Sequence, residues 1–194
     1  MIKEIFILIV GIFIGVIAFY FFSVNTNIPL NNSLANTSST SINHYVLTPQ
    51  QVHHIYGNEV SLEFDNLTTD GTKLPFLFLT ANKVQLARDI RYRTNNSTGF
   101  EELIVQTPEA NMAYLKLYSS YASAYNLSNI RNESIFNSAY INNFQYTIVP
   151  LLPDGSIFDG FGQTGNFLIR VLCGGQMCRQ QMNETMKAIA TGIS

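Results

Sequence analysis

Residues 59–80, EVSLEFDNLTTDGTKLPFLFLT, decide the fold class. Val60, Leu62 and Phe64 alternate with Glu59, Ser61, Glu63 and Asp65, which is the period of a half-buried strand over 59–65. Thr69-Asp70-Gly71-Thr72 reads as a hairpin turn, because Asp-Gly favours the backbone twist of tight hairpins. A partner strand is then expected at 74–80. Strands joined by tight turns pair antiparallel, so the sheet is antiparallel and the chain belongs to the α+β class.

Working outward, a further strand is expected at 84–93, where Val84, Leu86, Ile90 and Tyr92 share a face, and another at 100–106. Upstream, Thr48-Pro49-Gln50-Gln51 carries a Thr cap, Pro at the first helical position and Gln at the third, a capping box. The helix it opens presents Val52, Ile55 and Tyr56 and stops at Gly57. Thr107 and Pro108 start a helix over 108–125 whose inner side holds Ala110, Ala113, Tyr114, Leu117, Tyr118, Tyr121, Ala124 and Tyr125. Strands are expected at 140–151 and 166–173, with a turn at Pro153-Asp154-Gly155 and a short extended piece at 156–159. A last helix over 178–190 packs Met182, Met186 and Ile189. The expected core is Val52, Ile55, Leu62, Phe64, Leu77, Leu86, Leu117, Tyr121, Ile148, Phe167, Ile169, Val171 and Met186, with about three helices on one face of the sheet. This element order resembles that of small extracytoplasmic sensor or lipoprotein domains, in which a Leu-Thr-x-x-x-Val helix precedes a sheet closed by a C-terminal helix. Leu47, Thr48 and Val52 carry the likeness, which implies an arrangement and no activity.

Ile5 to Phe22 is an apolar run of 18 residues without a charge. With Ser23 and Val24 it makes about 30 Å of helix, enough to span a bilayer. Its exit lacks the small residues of a signal-peptidase site, so an uncut anchor over 1–24 is expected; cleavage there would make the domain a secreted one. Lys3 precedes the run and no Lys or Arg follows it until Lys73, which puts the N-terminus inside and the bulk outside. Residues 25–46, rich in Ser, Thr and Asn and free of charged side chains, read as a flexible tether, and 47–194 as one extracytoplasmic domain.

Asn-x-Ser/Thr acceptors occur at Asn31, Asn36, Asn66, Asn95, Asn96, Asn126, Asn132 and Asn183. With 20 Asn and 30 Ser plus Thr in 194 residues, chance placement would give about three, so a glycosylated surface domain is expected. Charged residues make up 12% of the chain, about half the share usual in soluble domains. A surface hydrated by neutral amides and sugars keeps that hydration when carboxylates protonate, which fits an archaeal or otherwise acid-exposed cell surface. The two cysteines, Cys173 and Cys178, stand outside the membrane at the junction of a strand and the last helix. A structural disulfide is expected, since C-x4-C lacks the redox spacing.

Chemistry-bearing motifs do not survive their context. Gly160-Phe161-Gly162-Gln163-Thr164-Gly165 matches G-x-G-x-x-G, but Asn166 to Val171 reads as a strand where a nucleotide-binding motif needs a helix. It is expected to be a glycine-rich hairpin loop. His44, His53 and His54 are the three histidines, and adjacent helical positions point about 100° apart, so no shared metal is expected. Glu63 with Asp65, and Asp154 with Asp159, read as solvated strand-edge and loop carboxylates. Arg88, Arg91 and Arg93 form a basic cluster, with Arg91 and Arg93 on the face of Asp89 and Arg88 turned away. With a net charge of −2, nucleic acid is not an expected partner. No catalytic residue, metal or cofactor is expected. The expected partners are the lipid bilayer, through Ile5 to Phe22, and cell-surface proteins or glycans. The reading is an anchored, glycosylated surface protein whose domain binds or assembles. Its alternatives are a secreted or vesicle-borne archaeal antimicrobial protein, similar in idea to the sulfolobicins, and a cell-surface hydrolase.

Overall fold

The computed structural model describes residues 42–57, 59–74, 78–93, 99–124, 137–152, 155–175 and 178–192. The Ile5 to Phe22 segment lies outside these residues; among the described residues no helix is long and apolar enough to cross a membrane. Helix α1 (Pro49–Tyr56) precedes strands β1 (Ser61–Thr68), β2 (Leu86–Arg93) and β3 (Gly99–Gln106). Helix α2 (Ala110–Ala124) follows, then β4 (Asn137–Ile141), β5 (Phe144–Pro150), β6 (Ile157–Thr164), β7 (Phe167–Gly174) and helix α3 (Cys178–Gly192). The strands form one antiparallel sheet in the order β1-β2-β3-β7-β6-β5-β4. Two meanders, β1 to β3 and β4 to β7, meet where β3 pairs with β7.

The α+β class holds, but the helices do not share one face. Val52 of α1 and Met182, Met186 and Ile189 of α3 pack with Phe100, Ile104, Ile169 and Val171 on one side. On the other side Ala113, Tyr114 and Leu117 of α2 pack with Leu103, Val105, Phe161 and Leu168. Central strands β3, β6 and β7 are therefore buried on both faces, and none of them keeps the inside-outside alternation of a half-buried strand. The capping box of α1 is present, with Gln51 N–H on Thr48 Oγ1 at 3.2 Å and Thr48 N–H on Gln51 Oε1 at 2.8 Å.

The 59–80 stretch folds differently from its expected hairpin. Asp70 Oδ1 accepts from Thr72 N–H at 3.0 Å and caps a 3-10 turn over Gly71–Lys73, so the local Asx geometry wins over a two-residue hairpin. The partner of β1 is β2, fifteen or more residues on. Residues 78–80 are not in a strand: Thr80 N–H and Oγ1 bind the Glu109 carboxylate at 2.9 and 3.1 Å beside the start of α2. A bulge between Leu62 and Phe64 shifts the alternation, leaving Leu62 57% exposed and Phe64 half-buried. Tyr121 is also only half-buried, and Leu77 lies outside the described residues. A bulged edge strand cannot keep a strict inside-outside period.

The expected 140–151 strand is two strands. Asn142 and Asn143, at φ 48° and 65°, make the tight turn between β4 and β5, a left-handed backbone that Asn tolerates better than most residues. The expected short piece at 156–159 is the full strand β6, which contains Gly160 and Gly162, so the G-x-G-x-x-G run is strand and turn rather than loop. Only Gly165, at φ 52°, serves the hairpin into β7. A Cβ on Gly160 would lie 2.6 Å from Met182 Sδ, and one on Gly162 would lie 2.5 Å from the Phe144 ring and 2.7 Å from the Gln145 carbonyl. Gly162→Ala is expected to cost about 1–3 kcal/mol by overpacking, read as a lowered urea midpoint. Gly160→Ala should cost less, since methionine ends can move; equal stability of Gly162→Ala and the parent chain would contradict the packing.

The packed domain also extends upstream of residue 47. Ile42 is fully buried, Tyr45 packs on Phe167 at 4.5 Å between ring centroids, and Asn43 Oδ1 accepts from Arg88 Nη1. The last residues assigned to the tether are thus a strap laid on the core.

Candidate binding groove and the buried charges

Helices α1 and α3 lie side by side, and between them an open groove of about 410 Å³ is lined by Gln50, Gln51, His54, Ile55, Glu184, Lys187 and Ala188. The helical period builds it: Gln50 with His54 and Gln51 with Ile55 on α1, and Glu184 with Lys187 and Ala188 on α3, are neighbours three or four residues apart. Ile55 and Ala188 supply an apolar floor. The rim offers an imidazole, a carboxylate, an ammonium and two amides. Gln51 is fixed by its cap, and Glu184 Oε1 accepts from Gln180 Nε2 at 3.0 Å. Such a set suits hydrogen-bonded recognition of a polar chain segment or sugar.

The domain also buries charge that the sequence reading placed on the surface. On the α2 side Asp159 of β6, fully buried, pairs with Arg170 of β7 at 2.8 Å, and Arg170 Nε reaches both carboxylate oxygens at 3.0 Å. Tyr121 donates its hydroxyl to Asp159 and accepts from Arg170 Nη2 at 3.3 Å. Burial disfavours the guanidinium charge, but Asp159 and Tyr121 outweigh this and hold Arg170 above its ordinary pKa. Burial and the Asp159 charge likewise raise Tyr121. Beside this group, Arg91 binds Asp89 at 2.9 Å and Glu101 at 3.6 Å and lies over the Phe64 ring at 5.0 Å. Burial, then the neighbouring Asp89 carboxyl to which it hydrogen-bonds, pushes Glu101 up to about 8.

On the opposite face Glu102 is fully buried. Its Oε2 accepts from Leu47 N–H at 3.4 Å, and burial pushes its pKa up to about 8 against the lowering by that N–H and by Arg88. Arg88 is committed to Asp65 through two bonds of 2.9 and 2.6 Å. Tyr56 and Tyr92 sandwich Phe100 at centroid distances of 4.0 and 4.4 Å, walling this end.

Asp159 is therefore not a loop carboxylate but part of a buried ion pair, and Asp154 lies outside the described residues. Glu63 and Asp65 do not act together: Glu63 pairs with Arg93 at 3.1 Å in solvent, and Asp65 with Arg88. The arginines divide as expected, with Arg91 on the side of Asp89 and Arg88 opposite. His53 and His54 are exposed on α1 and His44 sits in a 3-10 turn. Among the described residues no three His, Cys, Asp or Glu side chains converge on a metal position. Cys173 and Cys178 stand at disulfide distance, Cα to Cα 5.6 Å, tying the end of β7 to the start of α3; closing so short a loop restricts the unfolded chain by about 2 kcal/mol on the entropy model.

Two glycosylation acceptors fall on described residues. Asn66 is half-buried on edge strand β1. Asn183 sits within α3, its Nδ2 donating to the Arg179 carbonyl at 3.2 Å and its Oδ1 accepting from Asn137 at 2.9 Å, so its acceptor nitrogen is engaged. Asn31, Asn36, Asn95, Asn96, Asn126 and Asn132 lie outside the described residues. Strand period alone assigns acidic side chains to the solvent side, so it does not show the burial of Glu101, Glu102 and Asp159. The one available signal was Glu101-Glu102 inside the run from Phe100 to Val105, where one of two adjacent strand residues must face each side of the sheet.

No family model and no curated protein matches the chain. Among solved structures, the extracellular domain of PknH from Mycobacterium tuberculosis is similar at 12% identity and a TM-score of 0.48, covering 79% of this chain and 95% of that one. A GTP-binding regulator from Thermotoga maritima is similar at 9% identity and a TM-score of 0.38, covering 76% and 90%.

Proposed function

We propose that this chain is a single-pass, N-in, glycosylated cell-surface protein whose α+β domain binds or assembles with a surface protein or glycan rather than catalysing a reaction. The apolar run from Ile5 to Phe22 and the excess of acceptor sites support the address. The observation that carries the binding reading is the solvent-open groove between α1 and α3, which offers donors and acceptors of both charges over an apolar floor. Of the acid and base side chains buried elsewhere, Asp159 with Arg170 and Glu101 with Arg91 are engaged with one another across the sheet, in the manner of structural ion pairs.

The address predicts that the full-length chain stays with membranes through an alkaline carbonate wash, and that external protease on intact cells leaves about the first 25 residues protected. A mature N-terminus after residue 22 would replace the anchor with a cleaved signal. For the groove, a photo-crosslinking residue at Gln50 in the anchored protein should form adducts with a surface protein or glycan that the same residue at Lys116 does not form. Equal labelling at both positions would count against the groove. Killing of related cells by washed membranes would instead select the antimicrobial alternative, and a hydrolytic activity lost on replacing a single carboxylate in a folded variant the hydrolase.

A further inference from the structure

We propose that the fold holds two structural protons, one on each face of β3 at Glu101 and Glu102, which make this domain most stable in acid and progressively weaker as its surroundings turn neutral and then alkaline. The geometry asks for them. Adjacent strand residues point to opposite faces, and both of these are buried in the centre of the sheet. On the α2 face the carboxyls of Asp89, Glu101 and Asp159 share the guanidiniums of Arg91 and Arg170 among the described residues. On the other face Glu102 is fully buried and makes no ion pair among the described residues, because Arg88, the guanidinium whose charge reaches it, is committed to Asp65 through two bonds. Among the described residues each face thus holds one more carboxyl than guanidinium. A charge left buried without a partner costs several kcal/mol, whereas a neutral acid does not.

The surroundings identify which group takes the proton. Asp89 holds Arg91 at 2.9 Å while Glu101 stands off at 3.6 Å and feels the Asp89 charge, so Glu101 is the one of the two that carries the proton. Glu102 has one oxygen on Leu47 N–H and the other, Oε1, without a partner. Facing it are Asp65, Arg88 and Tyr92 from the neighbouring strands and Tyr56 from α1, which in turn bonds Thr185 of α3 near Glu184. Tyr92 is raised to about 12 by burial and by Glu102, and Tyr56 is raised by burial, so neither supplies or takes charge in the working range.

Both glutamates bind the proton more tightly in the folded state than in the unfolded chain. Their stabilisation is complete below the ordinary glutamate pKa and is lost as pH rises to the folded value of about 8. Asp89 is raised by burial and adds in the same sense. Asp70 and Glu109 are lowered, Asp70 by Thr72 and Glu109 by Thr80, and oppose it only in stronger acid, from partly exposed positions. The inference does not depend on the anchor or the groove.

Urea unfolding of the full-length chain in mild detergent tests it across acid to alkaline pH. Each structural proton should change the unfolding constant about tenfold per pH unit between the two pKa values, about a hundredfold per unit with both, in the direction of a falling midpoint as pH rises. Glu101→Gln and Glu102→Gln keep the shape of the neutral acid, so each should halve the logarithmic slope near neutral pH, and the double variant should leave there only the smaller slope of Asp89. A flat or rising midpoint in the parent, or Gln variants with the parent slope, would overturn the proposal. If a variant does not fold, the infrared carboxylic-acid stretch of the parent chain decides. Buried protonated carboxyls must be present at about pH 6 and gone well above the folded pKa, and their absence at about pH 6 overturns the proposal.

Discussion

The Asp159→Ala variant will unfold about 3–5 kcal/mol more easily than the parent chain, because it leaves the Arg170 guanidinium buried and without its carboxylate. An ordinary surface carboxylate at this position would cost less than about 1 kcal/mol, which is the expectation if residue 159 lay in a solvated loop. Exposed Glu63, paired only with Arg93 in solvent, provides the control, and Glu63→Ala should stay within that smaller range. Removing both partners, with Asp159→Ala and Arg170→Met together, should cost less than the sum of the single changes, since an apolar replacement of a buried pair is often near neutral. Chemical unfolding of the four proteins closes the cycle. A single-variant loss below about 1 kcal/mol, or simple additivity, would show that the pair is hydrated and not the enclosed contact described above.

Ile169→Ala should cost about 2–5 kcal/mol by opening a cavity at the centre of the sheet. Ile169 is fully buried; it lies in β7 opposite Ile104 of β3 and Gly162 of β6, within the core that α3 covers. The glycine at that crossing offers no side chain to collapse into the space. Leu62→Ala makes the contrast: the sequence period puts Leu62 in the core, yet it stands largely in solvent, so the change should fall within about 0.5 kcal/mol. Comparable losses for the two leucine and isoleucine variants would mean that the bulge in β1 is not as described.

The groove was legible only as separate parts. The sequence shows that α1 and α3 are amphipathic and roughly where they begin, since the Thr48 cap, Pro49 and the Met182, Met186 and Ile189 spacing are local signals. That these two helices lie together, and so bring His54 beside Glu184 and Lys187, depends on both packing on the same face of the sheet. No local pattern states that. The opposite face, where α2 lies, also offers apolar side chains, Leu103 and Val105 of β3, Phe161 of β6 and Leu168 of β7.

By itself the sequence determined the α+β class, the three helices within a residue or two at most ends, and the proximity of Cys173 to Cys178, because caps, helical periodicity and short chain separation act within a few residues. Tertiary structure decided what depends on partners distant in the chain. It chose β2 over residues 74–80 as the partner of β1, split 140–151 at Asn142 and Asn143, and placed Gly160 and Gly162 under α3 and against Phe144 rather than in a loop. It also turned Asp159, Glu101 and Glu102 inward. A carboxylate in a strand looks the same in sequence whether its face meets water or a helix. Only the position of α2 on one side, and of α1 and α3 on the other, makes both faces of the central strands interior and turns those acids into ion pairs and proton holders.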